Sequence, residues 1–453
     1  MTIIWGIICL GFIVFIHELG HFIAARLCGV TVESFSIGMG PVLLHKTIKG
    51  TDYRLSLLPF GGYCGMKGEK AFQEALEKNL SAIPAESGSF YGVHPLKRAI
   101  IAFSGPGANI IFSVIAFTII AMVGYTYYSA DNRIILADEI YSEIICPARQ
   151  AGLETGDKII SIDGKLVDTF SDITEIVSTN ANKPLETLVI RNGNELKFTL
   201  NPIMDTDTGI GKIGVINWIE PIIMEVEPQS PAEQAGLKAG DRILAIDGVP
   251  IKNTADIQKK LTENKALSFS ISRTLNQDTQ IIDDIIIPLT QDKSIGLLFS
   301  VPAREATRYS FFPAIFQGFK ETGELISLTF KSIGMLFKGL DMTKAVSGPV
   351  QITMMLGDTV KTGFSSGLNA GFVSTLNFMA LLCVSLFIMN LLPIPILDGG
   401  LILFAIIETI LRKPVHPKVM YYSQFIGIAF IILLFGIAIF SDANYIISGI
   451  KGN

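Results

Sequence analysis

The pattern of hydrophobic positions divides the chain into long apolar runs and more polar stretches between them. Four runs are long enough to cross a bilayer as helices, because about 20 apolar residues rising ~1.5 Å each span its ~30 Å hydrocarbon core. They cover residues 2–24, 98–124, 372–396 and 421–441. The pattern therefore predicts a polytopic α-helical membrane protein, with one membrane part at residues 1–124 and another at 372–453.

Two stretches between these runs have patterns of their own. Residues 30–66 are rich in glycine and β-branched residues, and Tyr53 to Leu57 alternate, which predicts strands joined by hairpin turns. Such a membrane-associated β region would pair with an extended peptide by strand addition, and an ordinary cytoplasmic hairpin is the alternative. Residues 304–371 mix apolar and charged positions, which predicts amphipathic helices lying along the membrane interface.

The section between the second run and residue 304 contains an internal repeat. The sequence AGLxxGDxIxxIDG at Ala151–Gly164 recurs at Ala235–Gly248. Each copy predicts a turn, a strand, an Asp-Gly hairpin and a following helix. The motif resembles the circularly permuted bacterial form of the PDZ domain, which implies two tandem α+β PDZ domains at residues 126–210 and 213–302. PDZ domains bind peptide C-termini as an added strand, although these two grooves could also bind nothing.

Composition supports a membrane protein that carries soluble mass. The chain has 453 residues, of which 49% are hydrophobic and 17% charged, and its mean hydropathy is +0.48. A net charge of -5 offers no electrostatic footprint for nucleic acid. Only Cys146 of the five cysteines falls in the soluble section, so no disulfide framework is available there. The first run lacks a basic n-region before it, so we expect it to be retained rather than cleaved.

Basic residues between the runs predict the orientation in the membrane. By the positive-inside rule, the loops after the first and third runs face the cytoplasm, which puts both termini and residues 125–371 outside. The basic residues of these two loops are Arg26, Lys46, Lys49, Arg54, Lys67, Lys70, Lys78, Lys97, Arg98, Arg412, Lys413 and Lys418.

A candidate metal motif lies within the first run. His17 and His21 are one helical turn apart and point the same way, so both imidazoles can bind one metal ion. Glu18 lies beside them and can take a proton from a metal-activated water. The alternative is a pair of histidines satisfied by neighbours in a helix bundle. Ionisable groups are costly in lipid, so these three should face a protein interior or a water-filled cavity.

A third ligand is predicted at Asp398, just after the third run. Pro393, Pro395 and Gly399 interrupt the helical pattern around it, which is tolerated at membrane depth only beside a cavity or a protein interior. Hydropathy places Asp398 at the depth of the two histidines. A catalytic zinc takes three protein ligands and keeps one position for water, so we predict one Zn²⁺ per chain. A helix-capping role is the alternative for Asp398.

The second run contains a polar side chain, Asn109, after a stretch of small residues. Close helix packing explains the small residues, and orientation of a metal ligand or a water molecule by Asn109 is the functional alternative.

Taken together, these motifs resemble the site-2 protease family of intramembrane zinc metalloproteases, in its bacterial RseP-like branch with two PDZ domains. The resemblance implies cleavage of single-span membrane proteins within or near their transmembrane segment, at the bacterial inner membrane. It implies as substrates anti-sigma factors after a first cleavage, and remnant signal peptides, as in regulated intramembrane proteolysis and stress responses. The motifs that carry it are His17–His21, Gly105–Asn109, Asn390–Gly400, Phe35–Pro41 and Ser347–Val350.

The predicted mechanism is metal-assisted amide hydrolysis with Glu18 as general base and the active site near the cytoplasmic side. A helical substrate must unwind before it can be cut, so residues that hold it extended are also needed. The candidates for this role are Asn390, Pro393, Pro395, Gly38 and Gly40.

Two other functions fit parts of the pattern. A non-catalytic membrane scaffold would use the PDZ pair to sequester partners. An ion or metal transporter would have His17, His21 and Asp398 along its path, but the chain shows no inverted repeat.

Overall fold

The computed structural model divides into two compact units. The first, called the membrane unit below, combines Met1–Tyr125 with Ala306–Asn453, and the second, called the repeat unit, is Thr126–Glu305. The structure describes residues 2–205, 209–261, 266–275, 278–289, 294–336 and 347–451.

Helices dominate the membrane unit. Numbered along the whole chain, they are α1 (Thr2–Leu27), α2 (Glu69–Glu77), α3 (Pro95–Val123), α8 (Phe311–Leu336), α9 (Pro349–Ser365), α10 (Leu368–Asn390), α11 (Asp398–Leu411) and α12 (Pro417–Lys451). Four helices are long and apolar enough to cross a membrane, namely α1, α3, α10 and the Pro417–Ala443 part of α12. The prediction of four spanning helices is therefore confirmed for the part of the chain that the structure describes.

The third spanning helix ends earlier than predicted. It stops at Asn390 rather than at residue 396, and Asp398 begins a separate helix, α11, which the hydropathy pattern did not predict. Pro393 and Pro395 lack the backbone N–H that a continuing helix needs, so the chain breaks there. The broken segment is itself apolar, and hydropathy alone could not separate it from the helix before it.

The centre of the membrane unit is α3, which packs against α1, α8, α10 and α11. A close approach of α1 to α3 depends on Gly20, because a Cβ there would lie 2.2 Å from the Ser104 carbonyl oxygen. In the segment predicted to be amphipathic, α8 packs against α3 and α10, and α9 packs against α1 and α10. Residues 337–346 of that segment lie outside the described part.

Residues 30–66 form a β-hairpin, as predicted. Its strands are β1 (Val32–Ile48) and β2 (Thr51–Met66), joined at Lys49 and Gly50, which both have positive φ angles. Residues 34–37 of β1 pair with two separate parts of β2, and the strands therefore fold into a compact sheet rather than a long ribbon. The ring of Phe35 packs on Phe22 of α1 at 5.2 Å between centroids, which anchors this sheet to the first helix.

Two four-stranded sheets with the same strand order form the core of the repeat unit, β6-β5-β7-β8 and β14-β13-β15-β16. Each copy has the turn, strand, Asp-Gly hairpin and helix that its sequence predicts. The helices of this unit are α4 (Pro147–Gln150), α5 (Phe170–Ser178), α6 (Pro231–Gln234) and α7 (Thr254–Leu261). The strands are β3 (Thr126–Tyr128), β4 (Ile134–Leu136), β5 (Lys158–Ile162), β6 (Lys165–Leu166), β7 (Leu185–Arg191), β8 (Asn194–Leu200), β9 (Ile203–Met204), β10 (Gly211–Lys212), β11 (Val215–Asn217), β12 (Ile223–Val226), β13 (Arg242–Ile246), β14 (Val249–Pro250), β15 (Leu267–Leu275), β16 (Asp278–Ile287), β17 (Leu297–Phe299) and β18 (Ala303–Glu305).

A buried aspartate lies directly before β5 in the first copy and before β13 in the second, and the two make equivalent hydrogen bonds. Asp157 accepts hydrogen bonds from the Glu154 N–H and from two nitrogens of Arg191. In the second copy, Asp241 accepts from the Lys238 N–H and from two nitrogens of Arg273. The aspartate of the repeat motif therefore holds the loop before the strand closed in both copies.

Candidate metal centre

Two helices bring three possible metal ligands together. On α1, the Nε2 atoms of His17 and His21 lie 3.2 Å apart, as their one-turn spacing predicts. Asp398, the first residue of α11, places one carboxylate oxygen 3.3 Å from His17 Nε2 and the other 3.4 Å from His21 Nε2. The three side chains are largely shielded from solvent. The predicted set of ligands therefore converges on one point.

The spacing of these atoms fits zinc. In a tetrahedral centre with bonds of about 2.0–2.1 Å, two ligand atoms lie roughly 3.3–3.4 Å apart. The three distances of 3.2, 3.3 and 3.4 Å match that edge length. Two imidazole nitrogens and one carboxylate leave a fourth position open, which is the pattern of catalytic rather than structural zinc sites.

Contacts from α3 orient both imidazoles. The Nδ1 atom of His21 lies 2.8 Å from the Ile101 carbonyl oxygen, to which it donates when it carries the proton. The Asn109 amide lies 3.2 Å from His17 Nδ1, and its Oδ1 has no hydrogen-bond partner among the described residues. If the amide rotates by 180°, this oxygen accepts the Nδ1 proton of His17. Both histidines then present an unprotonated Nε2, the form that binds a metal.

Glu18 opens onto a large cavity that also contains the three possible ligands. The cavity has a volume of about 880 Å³. Strand β2 passes over Glu18 at Gly62, where a Cβ would lie 3.1 Å from the glutamate Cγ and 2.8 Å from the Ser36 carbonyl oxygen. A larger residue at position 62 would push the strand away from the glutamate.

The predicted substrate-binding residues differ in their relation to this cavity. Asn390 lines it, directly before the broken segment 391–397. Pro393 and Pro395 lie within that segment but are not among the described lining residues. Gly38 and Gly40 have positive φ angles and flank Met39, whose side chain does line the cavity. Their effect on the cavity is therefore through the shape of β1.

Sequence reasoning missed part of the cavity wall. Phe72 and Leu76 of α2 line it from one side, and Tyr421 and Gln424 of α12 from another. A signal existed for the second pair, since both belong to the polar start, Tyr421–Gln424, of a spanning run that is almost entirely apolar beyond it. The sequence of α2 has no comparable signal, because the approach of α2 to the cavity depends on where β2 ends.

The chain is similar to known proteins over nearly its whole length. The family model for Peptidase family M50 matches residues 5–434. A protein of Treponema pallidum (strain Nichols), named as a proposed zinc metalloprotease, is 42% identical over 98% of this chain and 99% of its own length. "Protease RseP" of Yersinia pestis is 32% identical, and "Regulator of sigma E protease" of Haemophilus influenzae is 30% identical, each over 98% of this chain and 99% of its own length.

These matches decide between the functions that the sequence left open. They run through both units and include the metal motif, so neither a non-catalytic scaffold nor a transporter is favoured. A zinc cofactor and peptide-bond hydrolysis are also what the names of the relatives describe. The chain belongs to peptidase family M50, the site-2 protease family of intramembrane zinc metalloproteases.

Proposed function

We propose that His17, His21 and Asp398 hold the single zinc ion of this protease and that Glu18 is its general base. The observation that carries the proposal is the convergence of these ligand atoms, from α1 and α11, to within 3.2–3.4 Å of one another. The orientation of both imidazoles by α3 supports the same assignment.

Zinc, when bound, acidifies a water molecule and polarises the scissile carbonyl. Glu18 takes the proton of the attacking water and passes it to the leaving amine nitrogen, so the water oxygen ends on the new carboxyl group. Asn109 and the Ile101 carbonyl oxygen keep the imidazoles in one orientation through the reaction.

The substrate is a single-span membrane protein whose helix unwinds before cleavage. Residues 62–65 of β2 pair with β1 on one side, and the described residues offer them no second strand, so an extended substrate can add there. Asn390 donates to or accepts from the exposed backbone of such a substrate, a role supported by its position at the wall of the cavity. Pro393, Pro395, Gly38 and Gly40 shape the surrounding loops.

The repeat unit consists of two PDZ domains, residues 126–210 and 213–302, on the extracytoplasmic side of the bacterial inner membrane. The positive-inside rule supports this side and puts the active site near the cytoplasm. An apolar cavity of about 530 Å³ between α5 and residues 210–216 is a candidate groove for a peptide C-terminus. The pair would also exclude substrates with bulky ectodomains.

The name "Regulator of sigma E protease", which relatives of this chain carry, supports a class of natural substrates linked to sigma factors. We expect anti-sigma factors already shortened by a first protease, and remnant signal peptides, because both present a membrane helix with a small outer part.

The test uses the purified full chain in liposomes with a tagged single-span substrate. We expect Glu18→Gln to lower the cleavage rate by roughly 10²–10⁴-fold, the usual contribution of a general base, while the substrate still co-purifies with the protein. Glu77→Gln, at the exposed end of α2, is the matched control and should cleave at the wild-type rate. Cleavage by Glu18→Gln at the wild-type rate would remove Glu18 from the mechanism.

A further inference from the structure

Helix α11 packs alongside α3, and two polar contact points mark its position. Near one end of the contact, Asp398 lies 3.4 Å from His21, whose Nε2 is itself next to Gly105 of α3. Near the other end, Glu408 of α11 contacts Arg98 of α3. The chain advances in opposite directions along the two helices, so they are antiparallel. The two contact points are about 10–15 Å apart at ~1.5 Å per residue.

The second contact point is a buried ion pair. The Arg98 guanidinium donates to one carboxylate oxygen of Glu408, and both side chains are less than a tenth exposed. The other oxygen accepts the Val415 N–H at 3.0 Å, which ties the chain just after α11 to the same carboxylate. The guanidinium carbon also lies 5.9 Å from the centre of the Tyr91 ring. Glu408 is therefore held from two directions.

Stability alone does not explain this pair. Burying two charges costs desolvation energy, and well-packed apolar side chains are often as stable or more so. The Nε of Arg98 has no hydrogen-bond partner among the described residues, so the pair is not optimised for stability. An ion pair instead fixes the position of one helix along the other. Apolar helix faces tolerate sliding, whereas a carboxylate fixed by Arg98 and by the Val415 N–H does not.

The register of α11 decides the position of Asp398. Its carboxylate oxygens lie 3.3 and 3.4 Å from the two imidazole nitrogens. A slide of α11 by one residue would move them by about 1.5 Å, beyond what zinc–ligand distances tolerate.

We propose that Arg98 and Glu408 are positioning residues that set the register of α11 on α3 and thereby hold Asp398 at ligand distance from His17 and His21. This inference rests on the proposed set of zinc ligands. It assigns a role in the metal site to a pair of residues that touches neither the ligands nor the substrate.

The test measures zinc affinity of the purified full chain by competition with a chromophoric chelator, and the visible absorption spectrum of the Co²⁺-loaded protein. In Glu408→Gln an amide N–H replaces one acceptor oxygen and faces a donor, so the contact is lost on one side. We expect roughly tenfold weaker zinc binding, the lower end of the loss known for removal of a group that hydrogen-bonds a metal ligand, and a changed Co²⁺ spectrum. Asp442→Asn is the matched control. Asp442 is also a buried carboxylate of the membrane unit, but it caps α9 through the Val350 and Gln351 N–H groups.

Fold stability is separated from register by a second variant. Arg98→Met with Glu408→Met removes both charges, so no unpaired charge stays buried. We expect it to unfold near the wild-type temperature and still to bind zinc roughly tenfold more weakly. Wild-type zinc affinity and an unchanged Co²⁺ spectrum in this double variant would overturn the inference, and so would an equal loss in Asp442→Asn. If Glu408→Gln does not fold, the double variant decides alone.

Failure of the ligand assignment is recognised by a parallel measurement on His21→Ala. If His21→Ala keeps wild-type zinc affinity, the proposed ligands are wrong. If His21→Ala loses zinc while the double variant keeps it, only the role of Arg98 and Glu408 is wrong.

Discussion

Both units of this protein hold an arginine against a buried carboxylate, but over very different distances along the chain. In the repeat unit, Asp157 pairs with Arg191 and Asp241 with Arg273, 34 and 32 residues apart within one copy. In the membrane unit, Arg98 and Glu408 are 310 residues apart and join two helices. The first kind of pair closes a loop that its own copy builds, whereas the second aligns elements from opposite ends of the chain.

This difference predicts how each unit responds to damage. A lost pair in the repeat unit should destabilise one copy and leave chemistry intact. A lost contact in the membrane unit should affect the geometry of the metal site first, because the ligands come from separate helices.

Removal of the metal has the largest expected effect, and it should be confined to the membrane unit. A chelator should lower the cleavage rate by more than ~10³-fold, since both activation of water and polarisation of the carbonyl are lost, and added zinc should restore it. Hydrogen exchange in the repeat unit should not change. Increased exchange there on chelation would mean that the stability of the repeat unit depends on the metal.

Removal of a pair in the repeat unit comes next. Asp241→Ala leaves Arg273 without its carboxylate and the Lys238 N–H unsatisfied. We expect a loss of about 3 kcal/mol from the free energy of unfolding of the second copy, measured by hydrogen exchange in the full chain. The rate of cleavage of a substrate without an ectodomain should stay within about twofold. A matching loss of cleavage would mean that the chemistry in the membrane unit depends on the stability of the second copy.

A smaller effect is expected where β2 passes over Glu18. The Cβ of Gly62→Ala would meet the Ser36 carbonyl oxygen at 2.8 Å, so the strand must shift. We expect a cost of about 1–3 kcal/mol in stability, typical of overpacking, and a lower kcat as Glu18 moves. Gly323→Ala, on α8, meets nothing within 4 Å and is the control. Equal kcat values in the two variants would contradict a close fit of β2 over the glutamate.

The smallest effect concerns pH and the surface of the repeat unit. A hydrogen bond from the Arg149 side chain holds the pKa of Asp138 below its usual value. Because the folded pKa is depressed, the pair stabilises above the unfolded pKa of about 3.9 and this contribution is lost as pH falls through the folded pKa. Exposure of both side chains to solvent keeps this contribution small. Unfolding of wild type and Asp138→Asn should differ at pH 7, and the two should converge only as pH falls through the depressed folded pKa of Asp138. A difference that persists at low pH would be inconsistent with this pair.

Local sequence signals predicted much of this architecture. Long apolar runs gave α1, α3, α10 and α12, and the repeated motif gave two sheets with one strand order. The one-turn spacing of His17 and His21 was sufficient to predict their shared direction. All of these depend on interactions between near neighbours in the chain.

What depends on distant contacts was not predictable. Helix α11 was missed because its apolar residues continue those of the broken segment before it, and only tertiary packing makes it a separate helix. The pairing of Arg98 with Glu408 also depends on tertiary packing and was not predicted. Each residue lies beside basic residues, a pattern that predicts a cytoplasmic loop and not a buried ion pair. The cavity wall from α2 depends on where β2 ends.

Zinc content is the most direct measure of whether His17, His21 and Asp398 together hold one zinc ion. Elemental analysis of the purified full chain should find about one zinc per wild-type chain. Asp398→Ala should retain less than about a tenth of that after dialysis against a weak chelator, because two imidazoles alone bind zinc loosely. One zinc per chain in Asp398→Ala, held as tightly as in wild type, would exclude Asp398 as a zinc ligand.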